Sequence, residues 1–308
     1  MSFLGRIFGR PTAAASSPAT AVPSPAHAPT PLGIVAGRGI YPLELCRAAR
    51  RAGVPHLAVV ALRDETAAEI ETLADHVDWV HVGQLRRTMR ALHQQKITEV
   101  MFVGQIRPGR LFGDIRPDFL ALRLLWGLKE RNAHTLFGAV ATAFEQDGFR
   151  VLPAYSYLET WLAAEGVLGR VRPTRAQWRD IRFGAGIAAG VSRLDIGQTV
   201  VVRNGTVLAV EGFEGTDQAI RRGGELGKGR VTVVKAAKPG HDMRFDVPCI
   251  GLTTVESLVA AGAGALAVQT GKTLLLERDK VLAALDAAGI AAVGIELPAA
   301  SGSPSPAA

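Results

Sequence analysis

The repeated alternation of short apolar runs with helical segments, beginning at Leu32, constrains the fold more than any other feature of the sequence. The runs LGIVAG and HLAVVAL carry no charged strand residues, as is typical of strands covered on both faces. Between them lie a glycine turn, GRGIYP, and a helical segment with Pro42 in its first turn and Gly53 at its end. Two further strand-like runs, DWVHV and EVMFVGQI, continue the pattern. We therefore expect residues 32–154 to form one α/β domain around a parallel sheet.

A second alternation follows residues 155–172, which we interpret as a linker containing a helix-like stretch, YLETWLAAEG. Residues 174–193 are predicted to form a helix, and TVVVRNGTVLAVE is predicted to form a hairpin about its Asn-Gly pair. Because a hairpin is antiparallel, residues 173–297 are predicted to form a mixed α/β domain. The predicted fold class is thus α/β, with two α/β domains, of which the N-terminal one is Rossmann-like with a parallel sheet.

The remaining segments follow from periodicity and composition. Helical periodicity also predicts helices at 84–95, 117–131, 134–147, 253–262 and 279–288. The segments 1–31 and 298–308 are rich in Pro, Ala and Ser and cannot bury a core, so both are predicted to be disordered tails. No apolar run approaches the roughly 20 residues that a membrane-spanning helix needs.

The chain is basic, but its charge is not arranged for nucleic acid. Its formal charge is +7, aromatic residues make up only 6%, and no block of Lys and Arg occurs. Because nucleic-acid binding needs clustered positive charge, we predict no nucleic-acid partner. Dispersed arginines fit a protein that handles phosphate groups or approaches an anionic bilayer, and they also fit a GC-rich coding bias. The two cysteines, Cys46 and Cys249, are expected to be reduced thiols.

The glycine turn supplies the first candidate binding site. Gly37 and Gly39 follow a predicted strand and precede a helix, where backbone N–H groups can face a phosphate. Asp64 follows the second strand, where the ribose-binding acid of an NAD(P) site would lie, but Pro42 replaces the third glycine of that fingerprint. An NAD(P)-dependent oxidoreductase is therefore an alternative, as is a tight turn without a ligand.

Two basic segments also follow predicted strands. The loop GQIRPGRLFGDIRP contributes Gln105 and Arg107 as candidate substrate contacts, together with two further arginines. The segment KAAKPG places Lys235 and Lys238 at a strand end, where lysine can neutralise phosphate. Ligands of open α/β sheets bind beyond the carboxyl ends of the strands, although a solvated loop carries arginine equally well.

Three carboxylates in the segment EGFEGTD form the candidate catalytic cluster. Glu211, Glu214 and Asp217 lie close in sequence and would repel one another unless a cation neutralised them. Mg²⁺ prefers carboxylate oxygens together with substrate phosphates, so Asp217 and Glu214 are its predicted ligands. Glu211 is the alternative to Glu214, and Asp217 could instead orient the attacking water. Thr216 is a predicted substrate contact. The structural alternative is that Thr216 or Asp217 only caps the helix that follows.

Four segments, taken in order, resemble one known family. LGIVAGRGIYP, VGQIRPGR, LDIGQTVVVRNGTVLAVEGFEGTDQAI and VVKAAKPGHDMRFDVPCIG are similar to the LpxI-type UDP-2,3-diacylglucosamine pyrophosphatases of lipid A biosynthesis. The resemblance covers residues 32–296. It implies two α/β domains with the substrate between them, and Mg²⁺-dependent hydrolysis of the substrate's diphosphate to UMP and 2,3-diacylglucosamine 1-phosphate. It also implies that Asp217, the aspartate of EGTD, is the catalytic residue.

The resemblance further implies a lipid-linked nucleotide-sugar substrate and a place in the cell. The protein would be cytoplasmic and would reach its substrate by transient, peripheral contact with the inner face of the inner membrane. The largely apolar segment 117–131 would then shelter acyl chains, or it would be an ordinary core helix. The sequence leaves the oligomeric state open, and a homodimer is compatible with it.

One segment departs from the family's pattern. An acidic pair, Gly-Asp-Asp in many members, is replaced by Asn132, Ala133 and His134. If that pair touches the metal or orders water in relatives, this chain would be less active or less dependent on metal. A non-catalytic protein that binds a nucleotide sugar or a lipid is therefore a second alternative.

Overall fold

A computed structural model of the chain describes residues 30–107, 116–128, 133–238, 240 and 242–298. The two predicted tails lie almost entirely outside these ranges, as does Asn132, the first residue of the segment that departs from the family's pattern. Among the helices of the described ranges, none is long and apolar enough to cross a membrane.

The N-terminal sheet is parallel throughout. Its strands are β1 (Leu32–Ala36), β2 (Leu57–Leu62), β3 (His76–Val80), β4 (Glu99–Val103) and β5 (Arg150–Val151). Their spatial order is β3-β2-β1-β4-β5, and each neighbouring pair runs in the same direction. The predicted parallel sheet is therefore confirmed. Because β2 and β4 lie on opposite sides of β1, the carboxyl ends of β1 and β4 form the switch point at which such sheets bind ligands.

Helices cover both faces of this sheet. Those in the described residues are α1 (Tyr41–Arg51), α2 (Leu85–Gln94), α3 (Phe119–Gly127) and α4 (Ala133–Gln146). Apolar residues of α1 pack on one face of the sheet, and those of α2 and α4 pack on the other. Asp118 caps α3, because its Oδ1 accepts a hydrogen bond from the backbone N–H of Ala121 at 3.0 Å. The predicted helix at 117–131 is therefore found at Phe119–Gly127, and residues 129–131 of the predicted range lie outside the described residues.

The C-terminal sheet is mixed, as predicted. Its six strands are β6 (Gly166–Val167), β7 (Thr199–Arg203), β8 (Thr206–Val210), β9 (Thr232–Lys235), β11 (Ala265–Gln269) and β13 (Ala291–Ile295). The strands β10 (Cys249–Ile250) and β12 (Leu274–Leu275) pair with each other in a separate ladder, and Leu274 also forms an isolated bridge with Leu162. In the order β6-β13-β11-β9-β7-β8, the strands β9, β11 and β13 are parallel. The strands β6, β7 and β8 are antiparallel to their neighbours.

The hairpin of β7 and β8 turns at the predicted Asn-Gly pair. Asn204 and Gly205 both have positive φ angles, 49° and 72°, which suits a two-residue turn matched to the twist of the strands. Their N–H groups donate to the carboxylate of Asp180 at 2.9 and 2.8 Å. Asp180 lies in α5 (Arg175–Arg193), and α6 (Thr216–Gly227), α7 (Leu252–Ala260) and α8 (Arg278–Ala287) complete this half.

The prediction of a helical stretch at residues 157–166 is wrong. Only Glu159–Trp161 form a short 3₁₀ turn, and Gly166–Val167 form β6, which pairs with β13. Tyr157 and Gly166, at the two ends of the predicted helix, both have left-handed backbone conformations, with φ of 69° and 92°. A right-handed helix cannot continue through such residues. Part of the segment interpreted as a linker therefore belongs to the C-terminal sheet.

The short ladder of β10 and β12 lies between the two halves. Successive strand residues face opposite sides. Leu274 accordingly packs in the same buried cluster as Leu32 of β1, whereas Leu275 packs in the core of the C-terminal sheet. A backbone hydrogen bond from Ala154 to the carbonyl of Met243, at 2.7 Å, adds a second contact between the halves.

Candidate active site

The carboxyl edge of the C-terminal sheet gathers three of the predicted site residues. β9 ends at Lys235, whose partner on antiparallel β7 is Thr199, the first residue of that strand. β8 ends one residue before Glu211, and α6 begins shortly afterwards at Thr216. The strand order therefore brings Glu211, Thr216 and Lys235 together from separate segments of the chain.

A hydrogen-bonded chain joins these three side chains. The hydroxyl of Thr216 donates to Glu211 Oε1 at 2.9 Å and accepts from Lys235 Nζ at 3.3 Å. Lys235 is only 8% exposed, and its ammonium group also donates to the carbonyl of Cys249 at 3.2 Å. Because both acceptors are neutral, the positive charge of the Lys235 ammonium group is not neutralised by them and can attract an anion. This arrangement suits the binding of a phosphate group.

Asp217 follows Thr216, the central residue of these hydrogen bonds, and it does not cap α6. The N-cap of α6 is Gly215, which has a φ of 84°, and no side chain caps the helix. The capping interpretation of Thr216 and Asp217 is therefore wrong. Asp217 Oδ1 is buried, and no hydrogen-bond donor in the described part of the chain reaches it. Since buried polar atoms are rarely left without a partner, this oxygen is suited to an ordered water or a cation.

Glu214 and Lys238 are engaged by other side chains. Glu214 accepts hydrogen bonds from Arg222 at 2.6 Å and from the N–H of Gly212 at 3.0 Å. The bond to Arg222 holds the pKa of Glu214 below its usual value, so this carboxylate stays ionised. Lys238 forms an ion pair with Asp195. Glu214 would have to leave Arg222 to ligate a cation, and its role as a metal ligand stays a prediction.

The glycine turn meets the loop after β4 at the switch point of the N-terminal sheet. Arg38, between the two glycines, exchanges backbone hydrogen bonds with Gln105 at 2.8 and 3.1 Å. A Cβ atom on Gly37 would lie 2.5 Å from the carbonyl oxygen of Gln105, so only glycine fits there. Gly39 has a φ of 97° and open space around it. Two segments predicted separately as binding sites are thus one structural unit.

Arg107 is positioned by the residues that follow β2. Its Nη2 donates to the backbone carbonyl of Asp64 at 3.1 Å, and its Nε lies 3.7 Å from Glu65 Oε2. The Glu65 side chain is fully buried, while the Arg107 side chain is 52% exposed. A buried carboxylate therefore orients an accessible guanidinium group beside the glycine turn. Sequence analysis missed Glu65, whose only signal is a charged residue soon after an apolar strand. Residues 108–115 of the same loop lie outside the described ranges.

Tyr41 and Cys249 lie between the glycine turn of the N-terminal half and Lys235 of the C-terminal half. Lys235 bonds the carbonyl of Cys249, and the Cys249 side chain packs against the N-terminal core that contains Tyr41. Tyr41 begins α1 directly after the glycine turn. Burial, and secondarily Cys249, raise the pKa of Tyr41 well above its usual range. Burial also raises the pKa of Cys249 to about 12, so its thiol stays protonated and is a poor nucleophile.

An apolar cavity of about 120 Å³ lies beside the switch point, beneath α3 and α4. Val35 and Phe102 of the sheet line one side of it, and Leu125 of α3 and Phe137 of α4 line the other. The opposite face of α3 is exposed, because Phe119 and Trp126 are 68% and 73% accessible. The segment predicted as either a core helix or a shelter for acyl chains is thus buried on one side only.

The described residues offer few ligands for a metal ion. No group of three or more His, Cys, Asp or Glu side chains among them is placed to hold one. Mg²⁺ usually retains water and is bound through one or two carboxylates together with substrate phosphates. The unpartnered Asp217 oxygen fits that mode of binding, with Glu211 on the same edge of the sheet.

Comparison with known proteins places both halves in one family. Residues 31–161 match the family model of the LpxI N-terminal domain, and residues 164–293 match that of the LpxI C-terminal domain. The chain belongs to the LpxI family. A similar protein is the UDP-2,3-diacylglucosamine pyrophosphatase LpxI of Caulobacter vibrioides (strain ATCC 19089 / CIP 103742 / CB 15). The two are 33% identical over 282 residues, which is 86% of this chain and 97% of the relative.

The candidate residues divide between the two LpxI domains. The N-terminal domain carries the glycine turn, Arg107 and the apolar cavity, and the C-terminal domain carries Asp217 and Lys235. Both clusters lie at carboxyl ends of strands in their own sheets, and Cys249 and Tyr41 lie between them.

Proposed function

We propose that the protein hydrolyses the diphosphate of UDP-2,3-diacylglucosamine to UMP and 2,3-diacylglucosamine 1-phosphate. Membership of the LpxI family and the activity named for the Caulobacter vibrioides relative support this substrate. The observation that carries the proposal is the buried, unpartnered oxygen of Asp217 beside the Thr216–Lys235 hydrogen bond. The Asp217 oxygen can accept a hydrogen bond from a water or ligate a metal ion, and the nearby Lys235 ammonium group can bind a phosphate.

The reaction breaks one phosphoanhydride bond. A water oxygen forms a bond to one phosphorus, and the bond from that phosphorus to the bridging oxygen breaks. The bridging oxygen leaves as part of the other phosphate monoester, and the proton released from the water passes to the solvent. In the proposed mechanism Asp217 orients this water or helps to hold Mg²⁺. When bound, Mg²⁺ would neutralise charge on the diphosphate. Lys235 balances charge on the phosphate oxygens, and the Thr216 hydroxyl donates a hydrogen bond to one of them after leaving Glu211.

The N-terminal cluster holds the other part of the substrate in this proposal. The N–H groups of Gly37 and Arg38 are bonded to the carbonyls of Val103 and Gln105, which fix the turn. The N–H groups from Gly39 to the start of α1 therefore face an anionic group in this proposal. Arg107, oriented by Glu65, contacts a phosphate or the sugar. Lys238 would contribute once it leaves Asp195. The apolar cavity beneath α3 and α4 receives an acyl chain, because its lining is almost entirely hydrocarbon.

The proposed substrate also locates the protein. Lipid-linked nucleotide sugars of this kind present their polar part at a bilayer surface, so the protein acts in the cytoplasm with transient contact to the inner face of the inner membrane. The dispersed positive charge of the chain, +7 overall, supports such contact.

Incubation of the purified protein with UDP-2,3-diacylglucosamine, with and without Mg²⁺, tests the proposal by the release of UMP. Absence of UMP under both conditions, with retained binding of the substrate, would favour the non-catalytic alternative. Binding of NADH without any lipid turnover would favour the oxidoreductase. The latter is disfavoured because Pro42 stands at the third glycine position of the NAD(P) fingerprint.

A further inference from the structure

The exposed face of α3 carries an aromatic stripe. Phe119, Arg123 and Trp126 are spaced four and three residues apart, so their side chains emerge on one side of the helix. The two aromatic rings are 68% and 73% accessible. Large apolar side chains grouped on one exposed face are typical of a contact surface.

The neighbouring helix adds positive charge to this stripe. Arg86, Arg87 and Arg90 of α2 are exposed, and no carboxylate in the described part of the chain pairs with their guanidinium groups. α2 packs beside α3, and the backbone N–H of Arg86 donates to Asp118, the α3 cap, at 2.6 Å. We call these three arginines, together with Phe119, Arg123 and Trp126, the docking face.

The acidic residues near the docking face are already engaged. Asp118 accepts backbone hydrogen bonds at the start of α3. Asp147 bonds His93 at 2.8 Å, and Asp78 bonds His76 at 2.9 Å. These carboxylates keep their charge, but none of them forms an ion pair with Arg86, Arg87 or Arg90, so in the described part of the chain these guanidinium groups are available to anions from outside the protein.

The inner side of α3 connects this surface to the apolar cavity. Ala121, Leu124 and Leu125 line the cavity, while Phe119 and Trp126 face outward. A single helix thus separates the cavity from the docking face, and a bilayer on that face would lie beside the proposed acyl-chain site.

We propose that the docking face binds an anionic bilayer surface, with its aromatic rings at the level of the headgroups and its arginines on lipid phosphates. Aromatic side chains with one apolar side favour that interfacial depth, and basic residues are attracted by the negative surface potential. This inference rests on the proposed function, because a two-tailed lipid substrate requires the protein to approach a membrane.

Sedimentation with vesicles of phosphatidylcholine, with or without phosphatidylglycerol, tests the docking face on the full-length protein. Wild type is expected to bind the phosphatidylglycerol vesicles more tightly. Because each basic residue contributes about fivefold at an anionic surface, R86Q/R87Q/R90Q should lower the partition coefficient by about 100-fold. F119S/W126S should lower it by at least ~10-fold through loss of apolar contact. All variants keep the N-terminal tail, so its contribution is constant.

The matched control is R175Q/R179Q/R182Q, which removes the same charge from exposed arginines of α5. Its binding should stay close to that of wild type. Equal losses in this control and in R86Q/R87Q/R90Q would mean attraction by net charge and would overturn the proposal. So would unchanged binding of F119S/W126S, or its conversion of a dimer to a monomer with vesicle binding intact.

Hydrolysis of detergent-dispersed substrate separates this proposal from the proposed function. The docking-face variants should release UMP from dispersed substrate at rates within about twofold of wild type. Vesicle binding without any UMP release would refute the proposed function and leave the docking face standing. UMP release without vesicle binding by wild type would refute the docking face alone.

Discussion

Replacement of Asp217 by Asn should abolish turnover and at the same time stabilise the fold. The change keeps the size of the side chain but removes its charge. A general base or an anchor for the attacking water contributes about 10²- to 10⁴-fold to a rate, so we expect UMP release to fall by ~10³-fold. A buried polar group without a partner costs about 1–3 kcal/mol, and more when it is charged. Neutralising the buried Asp217 oxygen should therefore recover about 1 kcal/mol of folding free energy.

Asp279 provides the matched control for this substitution. It also lies in the first turn of a helix, α8, but its side chain is fully exposed. Both variants lose an interaction of negative charge with the helix dipole. D279N also loses the ion pair of its fully exposed carboxylate with Arg278 at 3.8 Å, which contributes little to stability, so the difference between D217N and D279N reports mainly the burial of the Asp217 oxygen. Urea unfolding should show D217N to be more stable than D279N by about 1 kcal/mol. A D217N protein that is less stable than D279N, or one that still releases UMP at the wild-type rate, would refute the reasoning.

Three further predictions follow from the site. Gly37→Ala should raise KM and lower the free energy of unfolding, because the new Cβ would lie 2.5 Å from the Gln105 carbonyl oxygen. Gly39→Ala lies in open space and should cost only about 1 kcal/mol in urea unfolding. Equal losses of stability in the two variants would contradict the argument from close contact. Because Arg222 lowers the pKa of Glu214, their ion pair contributes its full stability above the ordinary pKa of 4.5 and loses it as the pH falls through the lowered pKa. The difference in Tm between wild type and Glu214→Gln should therefore vanish in acid. A difference that stays constant with pH would count against the pairing. Chelation by EDTA should stop UMP release, and added Mg²⁺ should restore it. The Tm should stay unchanged, because one or two carboxylates hold the ion only weakly without substrate. A large fall in Tm would instead indicate a preformed metal site.

Local patterns predicted most of the fold, because most of its elements are long enough to carry a period. The parallel N-terminal strands and the Asn204–Gly205 hairpin depend on sequence signals only a few residues apart. β6 could not be predicted in this way, because two residues, Gly166 and Val167, show no alternation. The pairing of β10 with β12 likewise joins two-residue strands that are distant in sequence.

The candidate site was predictable where residue type and strand ends coincide. Lys235 and Thr216 stand at a strand end and at a helix start, and the structure joins them by a hydrogen bond. The pairing of Glu214 with Arg222 could not be predicted, because it depends on how the loop before α6 turns. The contact of the glycine turn with Gln105 required the spatial order of β1 and β4, which local sequence does not specify.

The position of Leu274 in the N-terminal core has a consequence for how the protein folds during its synthesis. The ribosome completes β1 to β5 long before it reaches Val247 and Leu274, yet both residues fill the buried cluster around Leu32. The nascent first half therefore carries an apolar surface that stays uncovered until most of the second half has been translated. Trigger-type chaperones that shield apolar surfaces of growing chains should bind this nascent chain for longer than they bind one whose first domain closes on its own.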